Sequence, residues 1–347
     1  MSAGLNVGII GAGGVSVFHY EGYVAGGATV VAIADANPLA LAKRQREWNI
    51  PKGYASYEEL LADPSIEAVS VCLPNALHHP VTLAAARAGK HVLCEKPVSL
   101  SLEQGEEMIR VCREAGVVLQ IGHHLRSDSA ALKTKELIDS GALGRPTFMR
   151  LRQAHDWGGS KTVRGVFGSL AHSGGGTLLD NGCHMMDLAR YFGGDVREVY
   201  ANIATLGFDI EVEDTSVANL TFTSGALGSI ENAWTATGWE QAFWVYGTEG
   251  AVEYSNRTGI LTHCFRSSPG TGFGEPDISH TTFAGLDAHV ATEIAFMEAI
   301  RGEREVVCTG EDGLEAVRLV LACYESAKRN TPVALAGDRV PEALPQG

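Results

Sequence analysis

Three groups of residues in this chain have types and spacing that could do chemistry: a glycine turn at Gly11-Ala12-Gly13-Gly14-Val15-Ser16, a lysine in Glu95-Lys96-Pro97, and an acid and an imidazole four residues apart at Asp180 and His184. The glycine turn matches the first two glycines of the dinucleotide fingerprint G-x-G-x-x-G, with Ser16 in the third place. Gly11 permits the tight turn. Gly13 lets the backbone approach a pyrophosphate at the positive end of the helix that follows, and Gly14 and Val15 lead into that helix. Asp35, at the end of the next apolar run, stands near the spacing of the acid that accepts hydrogen bonds from a ribose. A carboxylate there repels a 2′-phosphate, and Ala36 and Asn37 offer no arginine to hold one, so NAD is preferred to NADP.

Ligands of doubly wound sheets sit at the carboxyl ends of the strands. Leu73, Pro74, Asn75 and His78 follow one apolar run and Glu95 and Lys96 another, so all six are expected around the cofactor, with Lys96 beside its reactive ring. Pro97 favours an extended backbone at Lys96, which would fix where the lysine points. The competing reading is an ordinary solvated lysine. If the run Gly174 to Asp187 is a helix, Asp180 and His184 share a face. A carboxylate beside an imidazole suits a general acid or base, although the same pair is also a common structural hydrogen bond. His155 and Trp157, and more weakly His124, are candidates to line a pocket for a sugar, whose C–H faces stack on aromatics while its hydroxyls hydrogen-bond.

The elements that would carry these groups are legible in the hydrophobic pattern. Strands are expected at Leu5–Ile10, Thr29–Ala34, Ala68–Leu73, His91–Cys94 and Val117–Ile121, alternating with helices at Pro38–Asn49, at His79–Ala88, and from a Ser101/Gln104 capping box to Gly116. Such alternation predicts a doubly wound parallel sheet over residues 1–125. Beyond it, after a helix at Ala130–Ser140, strands follow strands: Thr147 to about Asp156, Val199–Thr205, Thr215–Thr223, Leu227–Ala236 and Phe243–Val252. That predicts an α+β domain over 126–347 with an open, mainly antiparallel sheet. Helices at His289–Arg301 and Gly313–Arg329 close the series, with a surface loop expected at Ser267–Pro276.

Composition excludes several classes. With 347 residues, 45% hydrophobic and 20% charged, the chain is long enough for two globular cores. It contains no apolar run of membrane-spanning length. The formal charge of −14 and the absence of a dense basic run argue against nucleic acid as a partner. Seven scattered cysteines without CxxC spacing, and an N-terminus without a basic leader, predict reduced thiols in a cytoplasmic protein. The twelve histidines include no HExxH, and adjacent pairs such as His78-His79 would point to opposite faces on a strand, so no metal site is expected.

Taken together, Gly11 to Ser16, Asp35, Pro74-Asn75 with His78, Glu95-Lys96-Pro97 and Asp180-x-Gly182-x-His184-x-x-Asp187 resemble the glucose-fructose oxidoreductase / inositol dehydrogenase / MocA (Gfo/Idh/MocA) family of NAD(P)-dependent sugar and polyol oxidoreductases, over nearly the whole chain. The resemblance implies a Rossmann domain followed by an open sheet, with substrate between them. It also implies a homodimer or homotetramer through the sheet's free face, and a catalytic triad of Lys96, Asp180 and His184. The reaction implied is hydride transfer between nicotinamide and a ring carbinol of a sugar, inositol or related polyol. Other readings are a reductase of a keto- or nucleotide-linked sugar, a dehydrogenase of a cyclic dihydrodiol, and a dinucleotide-binding sensor without turnover.

Overall fold

The computed structural model describes residues 4–157, 160, 163–266, 277–335 and 342–343, and the loop expected at Ser267–Pro276 lies outside them. The chain divides into two compact units, Met1–Asp128 with Leu286–Leu314, and Ser129–Gly285 with Glu315–Gly347.

In the first unit, short and largely buried apolar runs become the strands β1 (Asn6–Ile10), β2 (Thr29–Ala34), β4 (Ala68–Val71), β5 (His91–Cys94) and β6 (Leu119–Ile121), and the mostly exposed Lys52–Tyr54 adds the short strand β3. They pair in the order β3-β2-β1-β4-β5-β6, every pair parallel. The strand order reverses between β1 and β4, and ligands of this architecture bind outside the carboxyl ends of the strands at that switch point. The helices are α1 (Ser16–Ala25), α2 (Pro38–Trp48), α3 (Tyr57–Leu61), α4 (His78–Arg87) and α5 (Leu102–Ala115). Local chemistry ends them. Asn37 caps α2 by accepting from the Leu39 and Ala40 amides, the Ser101 hydroxyl accepts from the Gln104 amide as the capping box requires, and Gly116 stops α5 with a φ of 66°.

One element of this unit arrives from far along the chain. Helix α9 (Ala288–Ile300) packs on α1 and puts Phe296 and Met297 into the core with Val7, Ile9, Ile33 and Leu93. Gly22 and Gly26, one turn apart on α1, make the approach possible. A Cβ on Gly26 would stand 2.0 Å from the Met297 methyl, and one on Gly22 would stand 2.6 Å from the Glu293 carboxyl.

The second unit is built on a nine-stranded sheet in the order β14-β13-β12-β11-β7-β10-β9-β8-β15. Its members are β7 (Pro146–Ala154), β8 (Val196–Ala204), β9 (Thr215–Phe222), β10 (Leu227–Ala233), β11 (Glu240–Gly247), β12 (Gly250–Ser255), β13 (Ile260–Phe265), β14 (Asp277–Thr282) and β15 (Val333–Ala334). Only β7 and β10 run parallel; the other pairs are antiparallel. Helix α8 (Thr177–Gly193) lies on β7, β9 and β10, joined by α6 (Ser129–Asp139), α7 (Leu170–Ser173) and α10 (Gly310–Arg329). The alternation of buried and accessible residues along β9 and β10 is that of a sheet covered on one face.

Two sequence expectations change here. The run Phe243–Val252 is not one strand but the hairpin β11–β12, because the chain reverses at Thr248-Glu249, where Glu249 and Thr248 donate their amides to Leu143 O and Arg145 O. Strands β3 and β14 and helix α3 were not anticipated: β3 and α3 are shorter than the window periodicity needs, and β14 (DISHTT) has almost no apolar signal.

Candidate active site

The glycine turn follows β1. Gly11 has a φ of 105°, and the carbonyl oxygen of Cys72 lies 2.2 Å from where its Cβ would stand, so only glycine fits. Gly13 and Gly14 have nothing within 4 Å of such a Cβ. That open space, beside an α1 N-terminus whose N-cap Val15 contributes no side-chain cap, is what a pyrophosphate needs. Ser16, fully buried, donates its hydroxyl to Gly13 O at 2.7 Å and fixes the turn from below. At the end of β2, Asp35 accepts from the amides of Ala12 and Asn37, each at 2.7 Å. Two backbone donors orient the carboxylate and leave lone pairs for ribose hydroxyls. The residues present therefore fit a dinucleotide.

Sequence reasoning missed Arg44 at this turn. Its Nε and Nη2 donate to Ala12 O and Gly13 O at 3.4 and 3.3 Å, Nη1 pairs with Glu47 at 2.8 Å, and the guanidinium lies 4.9 Å over Trp48. Inspection of the residues next to Asp35 could not find it, because two turns of α2 bring it back to the glycine loop.

Past β4, Leu73 packs against Gly11, and Pro74 leads into a 3-10 turn at Asn75–Leu77. His78, expected around the cofactor, follows that turn. Its ring is fully buried, with Nδ1 2.7 Å from Pro97 O and Nε2 2.9 Å from Leu73 O, and burial lowers its pKa. It braces the two strand ends. Lys96 follows β5 between that brace and Glu95, whose carboxylate accepts the Lys96 amide at 3.2 Å; the Lys96–Pro97 peptide bond is cis. His124 stacks on His289 at 3.7 Å, and His289 on Phe18 at 4.3 Å. Burial lowers the pKa of both imidazoles, and the His289 and Lys96 charges lower that of His124 further.

In the second unit, Asp180 and His184 lie one turn apart on continuous helix, so they share a face of α8. The N-terminus of that helix is held by Glu213, a residue the sequence did not single out. The Glu213 carboxylate accepts from the amides of Gly176 and Leu178 at 2.9–3.1 Å and from the Tyr324 hydroxyl at 2.8 Å, while its own carbonyl accepts the Thr177 amide at 2.9 Å. Three amides that a helix end leaves without intrahelical partners are thus satisfied by one residue, whose charge also suits the positive end of the helix. Burial raises the Glu213 pKa while these donors oppose the rise. Gly176 must be glycine, since its Cβ would stand 1.9 Å from Glu213 O.

Beside α8, His155 accepts the Trp157 amide on Nδ1 at 3.1 Å, which places the ring proton on Nε2, 3.2 Å from the Asn181 carbonyl oxygen. Asn181 is oriented in turn by donating to Thr177 Oγ1 at 3.1 Å. The His155 ring is covered by Trp239, stacked at 4.7 Å and 7°, and Trp239 is itself half exposed. Trp157 is packed between Phe167 and the buried Trp234. Of the pocket residues expected from sequence, His155 and Trp157 therefore belong to one aromatic cluster, which meets α8 at Asn181, the residue after Asp180. Trp239 completes it; an exposed tryptophan between two strands was the only signal for it.

The first unit thus holds Gly11, Gly13, Gly14, Val15, Asp35, Leu73, Pro74, Asn75, His78, Glu95, Lys96 and His124, and the second holds His155, Trp157, Asp180 and His184. Among the described residues, no group of three or more His, Cys, Asp or Glu could hold a metal ion, and no helix is long and apolar enough to cross a membrane.

Comparison with known proteins bears on both units. Residues 5–123 match the model of an oxidoreductase family with an NAD-binding Rossmann fold, and residues 131–253 match the GFO/IDH/MocA C-terminal domain. The chain is 34% identical to a 1,5-anhydro-D-fructose reductase of Ensifer adhaerens, over 92% of this chain and 95% of that one. It is 30% identical to a myo-inositol 2-dehydrogenase of Thermotoga maritima, over 95% and 98%. Among solved structures it is similar to a levoglucosan dehydrogenase in complex with NADH and levoglucosan, with a TM-score of 0.89 at 26% identity, over 96% of this chain and all of that one.

Proposed function

The chain belongs to the Gfo/Idh/MocA family of NAD-dependent oxidoreductases, and from that premise we propose that it oxidises a ring carbinol of a sugar, inositol or related polyol, with Lys96, Asp180 and His184 as the catalytic set. The observation that carries the substrate class is the half-exposed Trp239 indole stacked on His155 beside α8. An aromatic plane offers stacking to the C–H face of a sugar ring, and the polar groups around it can hydrogen-bond the hydroxyls.

When bound, NAD supplies the hydride acceptor; Gly13, Gly14, the α1 N-terminus and Asp35 would hold it. His184 takes the proton of the reacting hydroxyl, and Asp180, on the same face of α8, orients the imidazole and balances the charge it gains. Lys96 donates a hydrogen bond to the reacting oxygen and steadies negative charge as it develops there. Residues 1–125 are read as the cofactor-binding domain and 126–347 as the domain for substrate binding and oligomerisation, save that Leu286–Leu314 packs with the first unit. Phe148, Leu227 and Tyr246, adjoining in register and exposed on the sheet, support a homodimer or homotetramer through that face. Seven cysteines, all free, support a reducing, cytoplasmic setting.

The test is a panel assay following reduction of NAD and of NADP with free aldoses, inositols and anhydrosugars, and the reverse reaction with keto-sugars. The expected result is NAD-dependent oxidation of one polyol class, with turnover falling by orders of magnitude in Lys96→Ala while NAD binding stays nearly intact. Comparable turnover in Lys96→Ala would remove that lysine from the mechanism, and activity confined to keto-sugar reduction would reverse the proposed direction.

A further inference from the structure

A buried polar chain runs behind Lys96. His19, on α1, is 1% exposed; its Nε2 lies 2.9 Å from Glu95 Oε1, and its Nδ1 lies 2.8 Å from Ser70 Oγ and 3.4 Å from Glu293 Oε1. Ser70 Oγ is also 2.6 Å from the Tyr23 hydroxyl. The other Glu95 oxygen accepts the Lys96 amide. Room for this carboxyl is made by Gly122, whose Cβ would stand 2.9 Å from Glu95 Oε1. At the far end, Glu293 Oε2 is buried against Gly22 without a hydrogen-bond partner among the described residues.

An oxygen with no donor is a poor place for half of a negative charge and a tolerable place for a neutral carboxyl. Two carboxylates around one imidazolium would leave a net buried charge, whereas one carboxylate and one carboxylic acid leave a balanced pair. Burial pushes Glu293 up to about 8. Burial opposes the charged form of Glu95 as well, but His19, Lys96 and His289 bring it down to about 2. Burial also opposes charge on His19, and Cys72, Glu293 and Glu95 outweigh it. The titratable groups facing the chain are Tyr23 on α1, Cys72 past β4, Lys96 past β5, and Asp287 and His289 at the start of α9, with His124 felt through His289 and Glu95.

We propose that His19 and Glu293 are positioning residues for Lys96: His19, flanked by Glu293, anchors the Glu95 carboxylate, which holds the Lys96 peptide at the end of β5 and supplies the counter-charge of its ammonium. The proposal deepens the catalytic reading of Lys96 and rests on it for its role in turnover. The chain itself touches no substrate. It keeps the lysine protonated and aimed.

Competitive acylation of the full-length protein, with the Lys96 labelling rate read by mass spectrometry across pH, tests this without a known substrate. In Glu95→Gln the Lys96 ammonium loses its counter-charge, so Lys96 labels about tenfold faster at neutral pH, one pKa unit being a factor of ten, whereas His19→Gln removes the cation that shares the Glu95 carboxylate, so Lys96 labels more slowly than in the wild type. In Glu293→Gln, a mimic of the neutral carboxyl, labelling matches wild type at neutral pH and exceeds it above pH 8, where wild-type Glu293 gains its charge. Unchanged Lys96 rates and pH profiles in the folded variants overturn the proposal. If His19→Gln does not fold, Glu293→Gln decides alone. Should Lys96→Ala keep full turnover while the labelling responds as described, the catalytic reading fails and the relay stands.

Discussion

Glu213 and Glu293 are both buried carboxyls whose pKa burial raises, one in each unit, yet they differ in what surrounds them. Glu213 accepts from two backbone amides and a tyrosine hydroxyl, so every donor it meets is fixed in place. Glu293 meets one imidazole nitrogen and has an oxygen with no partner among the described residues. The first environment fixes a position and the second holds a proton. A buried acid is thus defined less by its depth than by whether its donors can move or titrate.

The largest effect that would test this contrast is Glu213→Ala. Removing the carboxylate strands buried amides at the head of α8, each worth about 1–3 kcal/mol when unsatisfied, so denaturant unfolding should show a loss of about 3–5 kcal/mol. A loss below about 1 kcal/mol would mean that water replaces the carboxylate without cost, and the positional reading would fail. Tyr324→Phe removes one donor and keeps the ring, and should cost about 1 kcal/mol in the same measurement. Glu293→Gln, a mimic of the protonated acid, should be nearly silent at low pH and gain on the wild type as pH rises. In the wild type the folded state keeps a proton up to about pH 8 that the unfolded state releases near the ordinary glutamate value, so stability attributable to Glu293 is present at low pH and falls as pH rises through that window. Melting temperatures of Glu293→Gln relative to wild type should therefore climb between those two pH values. Parallel curves would show Glu293 ionised in the folded protein, and the contrast with Glu213 would collapse.

The two units were also unequally legible in sequence. In the first, the glycine turn, Asp35 and Glu95-Lys96-Pro97 are short motifs at strand ends, and strand, turn and helix each leave a local mark, so the doubly wound sheet and the candidates for its cofactor site follow from neighbours in sequence. What could not be read there was Arg44, returned to the turn by two turns of helix, and Glu293, which reaches His19 from beyond eight of the nine strands of the second sheet. In the second unit the i, i+4 spacing of Asp180 and His184 was visible, but Glu213, Tyr324 and Trp239 were not. Each is an ordinary residue type in a strand end, a helix or a loop, and only packing reveals what it holds. The contacts of the His78 ring with Pro97 O and Leu73 O were likewise hidden, because they join two strand ends that only the folded sheet brings together.

Because Leu286–Leu314 belongs to the first unit, the ribosome releases the last piece of that unit only after the nine-stranded sheet's first eight strands have been made. The six parallel strands emerge early, but Phe296 and Met297 are still absent from their core, the groove at Gly22 and Gly26 is bare, and Gln120 has no Thr292 carbonyl, 172 residues downstream, to receive its amide. At translation speeds of about 5–20 residues per second, the nascent unit waits for many seconds with an apolar seam uncovered. The same long-range closure that puts Glu293 behind Lys96 covers that seam only once α9 has been made.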